Sequence, residues 1–134
     1  MVIGVRMGSG RIVEAEVNGA IIKTDQPVED GGNGTAPSPF DFFLTSIATC
    51  AGYYVLDFCR NRDISTDDIG IEMQANRNPD THRIETVQID IKLPDDFPAK
   101  YEKAVVRAAE LCSVKKHIEH GISFETRALR RASS

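Results

Sequence analysis

One stretch constrains the fold of this chain more than any other: residues 38–61, SPFDFFLTSIATCAGYYVLDFCRN. Ser38 is a favourable N-cap and Pro39 stands at the first helical position. Asp41, three residues past the cap, can reach back to the cap's N–H and faces the positive helix end. Beyond it, Phe43, Ile47, Cys50, Ala51, Tyr54 and Phe58 fall at the spacing of one helical face. The other faces are nearly as apolar, with Phe40, Phe42, Leu44, Ala48, Tyr53, Val55 and Leu56. A helix hydrophobic all round belongs in a protein core or a membrane. Between Asp41 and Asp57 only 15 residues carry no charge, fewer than the roughly 18 that a span needs. The expectation is a central core helix with Cys50 near its middle.

The rest of the chain must cover that helix. Its 134 residues fit one domain, 1–134, with room for a sizeable core. A net charge of −4 and no basic stripe with interleaved aromatics argue against nucleic acid as a partner. Residues 1–6 hold too short an apolar run for a signal peptide, so the cytoplasm is the expected compartment and no membrane partner is implied.

Residues 1–6 read as a strand, 7–10 as a turn and 11–17 as an alternating strand. Asn18-Gly19 is a strong hairpin signal, with residues 20–24 as the return strand. Residues 25–37, with Gly31-Gly32-Asn33-Gly34, form a loop without the spacing of a phosphate-binding loop. After the central helix, residues 69–76 alternate as a half-buried strand. Residues 84–93 form another, and Ile84 is out of phase with Val87, Ile89, Ile91 and Leu93, which points to a bulge near Glu85. Pro94-Asp95-Asp96 opens a second helix whose buried face carries Phe97, Tyr101, Ala104, Val105, Ala108, Leu111 and Cys112. Two continuations stay open: Ser113 caps a further short helix, or the second helix runs on to Ile118. Gly121 stops it, residues 122–129 read as a last strand, and 130–134 as a basic tail expected to fray. The element order gives an α+β fold, helices packed on antiparallel sheets.

Three cysteines stand at 50, 59 and 112, with no Cys-x-x-Cys pair for a structural zinc. Cys50 and Cys112 each lie on the apolar face of a helix. If both helices pack on one sheet, their sulfurs can meet and cycle between dithiol and disulfide. The plainer reading is that buried cysteines are small hydrophobes, and spacing alone favours it. Cys59, nine residues past Cys50, is turned about 180° round the helix and reads as structural. His117 and His120 read as solvated side chains that suit the negative end of a helix rather than as metal ligands. Arg6 and Arg11 belong to the N-terminal strands; either one near Cys50 would favour a thiolate.

These residues resemble a known family. Thr24-Asp25-Gln26-Pro27, Gly31-Gly32, Gly34, Pro37-Ser38-Pro39 and residues 41–50 look like the signature of the OsmC/Ohr superfamily, a divergent branch of it. Leu111-Cys112-Ser113-Val114 is similar to its second-cysteine motif. The resemblance implies an OsmC-like fold in an intertwined homodimer, with two active sites at the interface. It implies thiol peroxidase chemistry in oxidative-stress defence, with Cys50 peroxidatic, Cys112 resolving and Arg11, before Arg6, as the partner arginine. The peroxidase branches carry a glutamate after the proline where this chain has Phe40, and often a proline where it has Ser113.

Two functions follow as expectations. In the first, Cys50 and Cys112 reduce organic hydroperoxides, Phe40, Phe43 and Tyr54 wall an apolar substrate pocket, and a cellular dithiol restores the thiols. No cofactor or metal is implied. In the second, the protein is a non-catalytic dimer whose cleft binds a small hydrophobic ligand. The thiols then serve the core or sense redox state.

Overall fold

The computed structural model describes residues 1–131. The expected frayed end, residues 132–134, lies outside the described residues. The N-terminal third is an antiparallel sheet of β1 (Gly4–Met7), β2 (Val13–Val17) and β3 (Ala20–Thr24), in that order. Asn18 and Gly19 both take positive φ, 49° and 82°, as a two-residue hairpin of matching twist requires. The first strand starts later than expected, and Arg11 lies in the turn before β2, not in a strand. The turn closes through the Gly8 amide, which donates to the Ile12 carbonyl.

The loop into the central helix is built on a buried charge. Asp25 is fully buried and accepts hydrogen bonds from the Gln26 amide at 2.8 Å, the Thr35 amide at 3.0 Å and the Thr35 hydroxyl at 2.6 Å. Its own amide donates to the Pro37 carbonyl, so the loop is closed at its base. Gly32 lies so close to the Gln26 carbonyl that a Cβ there would stand 1.9 Å from its oxygen. Only glycine fits.

The loop delivers the chain to α1 (Pro39–Arg60) through the expected capping box. The Asp41 amide donates to Ser38 Oγ at 3.2 Å, and the Ser38 amide to the Asp41 carboxylate at 3.1 Å. One stripe of α1 is buried: Ile47, Ala51, Val55, Phe58 and Cys59. Here the structure corrects the expectation of a helix buried all round, because Phe40, Phe43, Tyr53 and Leu56 stay largely exposed in the single chain. By length and composition α1 could cross a membrane; its stripe instead packs on other elements of the fold.

A hairpin follows, β4 (Gly70–Arg77) with β5 (Ile84–Lys92). Asn76 pairs with Thr86 but Arg77 pairs with Ile84, so Glu85 is the extra residue of the expected bulge. A 3-10 turn, Ala99–Tyr101, leads into α2 (Glu102–Ala109), and a separate helix α3 (Ser113–His120) ends at Gly121 with φ 77°. Cys112 is therefore not on a helix face. It is the N-cap of α3, outside the helical region with ψ 118°.

The core forms where α1 crosses α2 over the hairpin. Ala51, Val55, Phe58 and Cys59 meet Val105, Ala109 and Phe97, with Ile71, Ile89 and Ile91 beneath. Tyr101 packs edge-on to Phe58 at 5.8 Å, and the Arg62 guanidinium lies over the Phe58 ring at 3.7 Å and near the Tyr101 ring at 5.5 Å. The β1–β3 sheet takes no part in this core. The last expected strand, 122–129, does not form: the segment is exposed throughout and pairs with no strand among the described residues. Its alternation marks a capacity for pairing, and a ladder needs a partner edge.

Candidate active site

The two cysteines singled out by the sequence come together, by a route its periodicity did not show. Cys50 projects from the middle of α1 towards the first turn of α3, and Cys112 caps that same turn. The Cys112 sulfur accepts the Lys115 amide at 3.3 Å. Cys50 Sγ lies 3.9 Å from the hydroxyl of Ser113, the residue directly after Cys112, and the two thiols are near enough to shift each other's acidity. Both thiols are free. Cys50 is half-buried; Cys112 is 2% exposed.

The setting separates the two acidities. Burial pushes the Cys50 thiol up, but the Val114 amide, the Cys112 thiol, and the hydroxyl and amide of Ser113 together bring it below its ordinary value. These donors stabilise a thiolate, as helix N-termini do. Cys112 moves the other way. Its burial raises it, the Lys115 amide offsets part of that, and the neighbouring Cys50 raises it further. One sulfur is thus poised to carry charge and the other to keep its proton. Cys59 belongs to the core, fully buried, its thiol raised by burial against a smaller opposing effect of Arg62.

The remaining candidates lie elsewhere. The Arg11 guanidinium lies against Gly31, over the loop before α1. Arg6 is paired with Glu14 at 2.8 Å on an exposed sheet face. Phe40 and Phe43, ring centroids 5.6 Å apart, line a small hollow with Arg77, His82, Arg83 and Ile84. Ten residues of helix put Phe40 about 15 Å from Cys50 along the axis, so it does not wall its own chain's thiol. Tyr54 is one turn past Cys50 on the same face, edge-on to Tyr53 at 5.3 Å. Phe43 also opens a larger apolar groove of about 620 Å³ between α1, β5, α2 and α3, lined by Ile47, Val87, Ile89, Val106 and Ile118 among others. His117 Nδ1 is 2.7 Å from the Ser113 carbonyl, and among the described residues no three metal-ligating side chains cluster.

The donors sequence reasoning missed are the α3 amides. Side-chain patterns do not show main-chain N–H groups. The signal was Ser113 directly after Cys112, read as a possible cap, which marked a helix start beside the second thiol.

Comparison with known proteins agrees with this architecture. The family model described as OsmC-like protein matches residues 31–127. No curated protein matches the chain. Among solved structures, a candidate osmotic stress induced and detoxification response protein from Psychrobacter arcticus 273-4 is 26% identical over 87% of this chain and 86% of that one, with a TM-score of 0.73. An OsmC-like protein from Mycoplasma pneumoniae is 11% identical over 88% and 86%, with a TM-score of 0.69. A Legionella pneumophila protein described as organic hydroperoxide resistance protein OsmC is 20% identical over 87% of each chain, at 0.56. The last two share the fold.

Proposed function

The chain belongs to the OsmC-like protein family, and from that premise we propose that it reduces organic hydroperoxides with the Cys50–Cys112 pair. One observation carries this reading. Cys50 lies 3.9 Å from the Ser113 hydroxyl, next to Cys112 at the N-terminus of α3, with Cys50 lowered and half-buried and Cys112 raised and buried.

The chemistry follows from that asymmetry. The Cys50 thiolate attacks the terminal peroxide oxygen. The O–O bond breaks, the alkoxide takes a proton from water and leaves as an alcohol, and Cys50 becomes a sulfenic acid. Cys112 then gives up its proton as its sulfur attacks Cys50, and the hydroxyl leaves with that proton as water. The disulfide is reduced by a cellular dithiol, which fits a cytoplasmic setting. The working form is a homodimer that covers the exposed apolar faces of α1. In it Phe40, Phe43 and Tyr54 wall the approach to a thiol, and Arg11 is the first choice for a guanidinium that steadies the peroxide. Neither nucleic acid nor a membrane is a partner.

A second reading rests on the 620 Å³ apolar groove. It makes the protein a non-catalytic dimer that binds a small hydrophobic ligand. Cumene hydroperoxide separates the two. One equivalent added to reduced protein should remove two thiols and join the Cys50 and Cys112 peptides. Cys112→Ser should stop at a dimedone-trappable sulfenic acid, and Cys50→Ser should not react. Wild-type thiols that persist for hours in excess hydroperoxide would remove the enzyme reading and leave the ligand-binding one.

A further inference from the structure

We propose that Ser113 is a positioning residue for Cys50, its hydroxyl and its place at the start of α3 holding against Cys50 a cradle of donors that selects it as the attacking sulfur. The proposal rests on the peroxidase reading for its use, but its test needs no peroxide.

The geometry gives Ser113 two separate handles. Its hydroxyl lies 3.9 Å from Cys50 Sγ, within range for a donor to sulfur. Its amide is the first of α3, one of the N–H groups that a helix leaves without an internal acceptor. The Val114 amide comes next, and it too acts on Cys50. Lys115 donates to Cys112 instead. At the first turn of α3 the Ser113 hydroxyl therefore faces Cys50, while the Lys115 amide serves the sulfur that caps the helix. A single side chain at 113 sets how many donors Cys50 receives.

This residue can be changed without breaking the helix. Proline is welcome at the first helical position, where its missing N–H costs no internal bond. Cys112, with φ −48° and ψ 118°, is already outside the helical region that proline disfavours in the residue before it. Ser113→Pro thus removes both donors, Ser113→Ala removes the hydroxyl alone, and Ser113→Thr keeps both.

The test is the pH dependence of iodoacetamide alkylation at the Cys50 peptide, read by mass spectrometry on the full-length reduced protein. Only thiolate reacts, so the midpoint reports the cradle. Ser113→Ala should slow the reaction at pH 7 about threefold or more, and Ser113→Pro about tenfold, each with its midpoint displaced upward. Ser113→Thr should stay within about twofold of wild type. Circular dichroism confirms the fold, and if the proline variant unfolds, the alanine–threonine comparison decides alone. Midpoints in the alanine and proline variants that coincide with wild type overturn the proposal. A graded displacement in a protein that consumes no hydroperoxide keeps the cradle and removes only the peroxidase reading.

Discussion

At the scale of residues, the chain spends its buried polar groups on geometry. Asp25 is a carboxylate with no exposed surface, yet every partner it has is a neutral donor from the loop it closes. The hydroxyl and amide of Thr35 and the amide of Gln26 hold it at about 2, against the smaller opposing effect of burial. Its pKa is depressed by folding, so it contributes stability above its unfolded value of about 3.9. That contribution fades as pH falls from about 4 towards 2. Asp25→Asn should be less stable than wild type at pH 7, and the gap should close across that window. Urea midpoints at pH 7, 4 and 2.5 check it; a gap that stays constant with pH would show that the charge is not what matters. Asp25 was visible in the sequence as part of a motif, but its role was not, because a loop aspartate looks the same whether it faces water or ten residues of folded backbone. Cys50 and Cys112 were legible as residues whose spacing allowed a meeting. The direction of their acidities was not legible, since it depends on amides that every residue carries.

At the scale of elements, legibility followed the strength of the local code. The capping box and the apolar period marked the start and end of α1 within a residue, and the phase slip at Ile84 located the bulge at Glu85. Asn18-Gly19 set the register of the first hairpin. The break between α2 and α3 was left open because Leu111, Cys112 and Ser113 are all compatible with a continuing helix. The break comes instead with a tertiary arrangement, the Cys112 sulfur taking the Lys115 amide. The strand expected at 122–129 failed for a related reason, since alternation cannot supply the neighbouring edge. Where the code is strong, the packing it produces is also the most costly to disturb. Phe58 is the clearest case, buried on α1 against Tyr101 and the Arg62 guanidinium. Phe58→Ala should cost about 3–5 kcal/mol, through lost burial and a cavity at the α1–α2 crossing. Chemical denaturation measures it. A loss below about 1 kcal/mol, the ordinary size of a surface change, would mean that α1 is not anchored there.

At the scale of the whole molecule, a single chain leaves much apolar surface open. On α1, Phe40 and Phe43 are each 43% exposed and Tyr53 is 58% exposed. The β1–β3 sheet adds Val5, Met7 and Ile21, and the unpaired segment after Gly121 adds Ile122, Phe124 and Leu129. A three-stranded sheet stands on its own only when its apolar face is covered, and among the described residues this one takes no part in the core. Apolar patches of this extent mark interfaces, and a second copy supplies matching faces of the same kind by symmetry. The prediction is an obligate homodimer. Light scattering on the eluting protein at micromolar concentration should give twice the 14.8 kDa of one chain. The sharper test substitutes residues that look harmless in a single chain. Tyr53 and Leu56 point away from the core stripe of α1, and as monomer surface Tyr53→Glu with Leu56→Glu should change stability by no more than about 0.5 kcal/mol at each site. As part of a buried interface the same pair places two unpaired carboxylates in an apolar setting, which is strongly unfavourable. The double variant should then elute as monomer or aggregate, melt well below wild type and lose any hydroperoxide turnover with its dimer. A folded, stable 14.8 kDa wild-type species, or a double variant that keeps wild-type mass and melting temperature, would show that α1 is not where two chains meet.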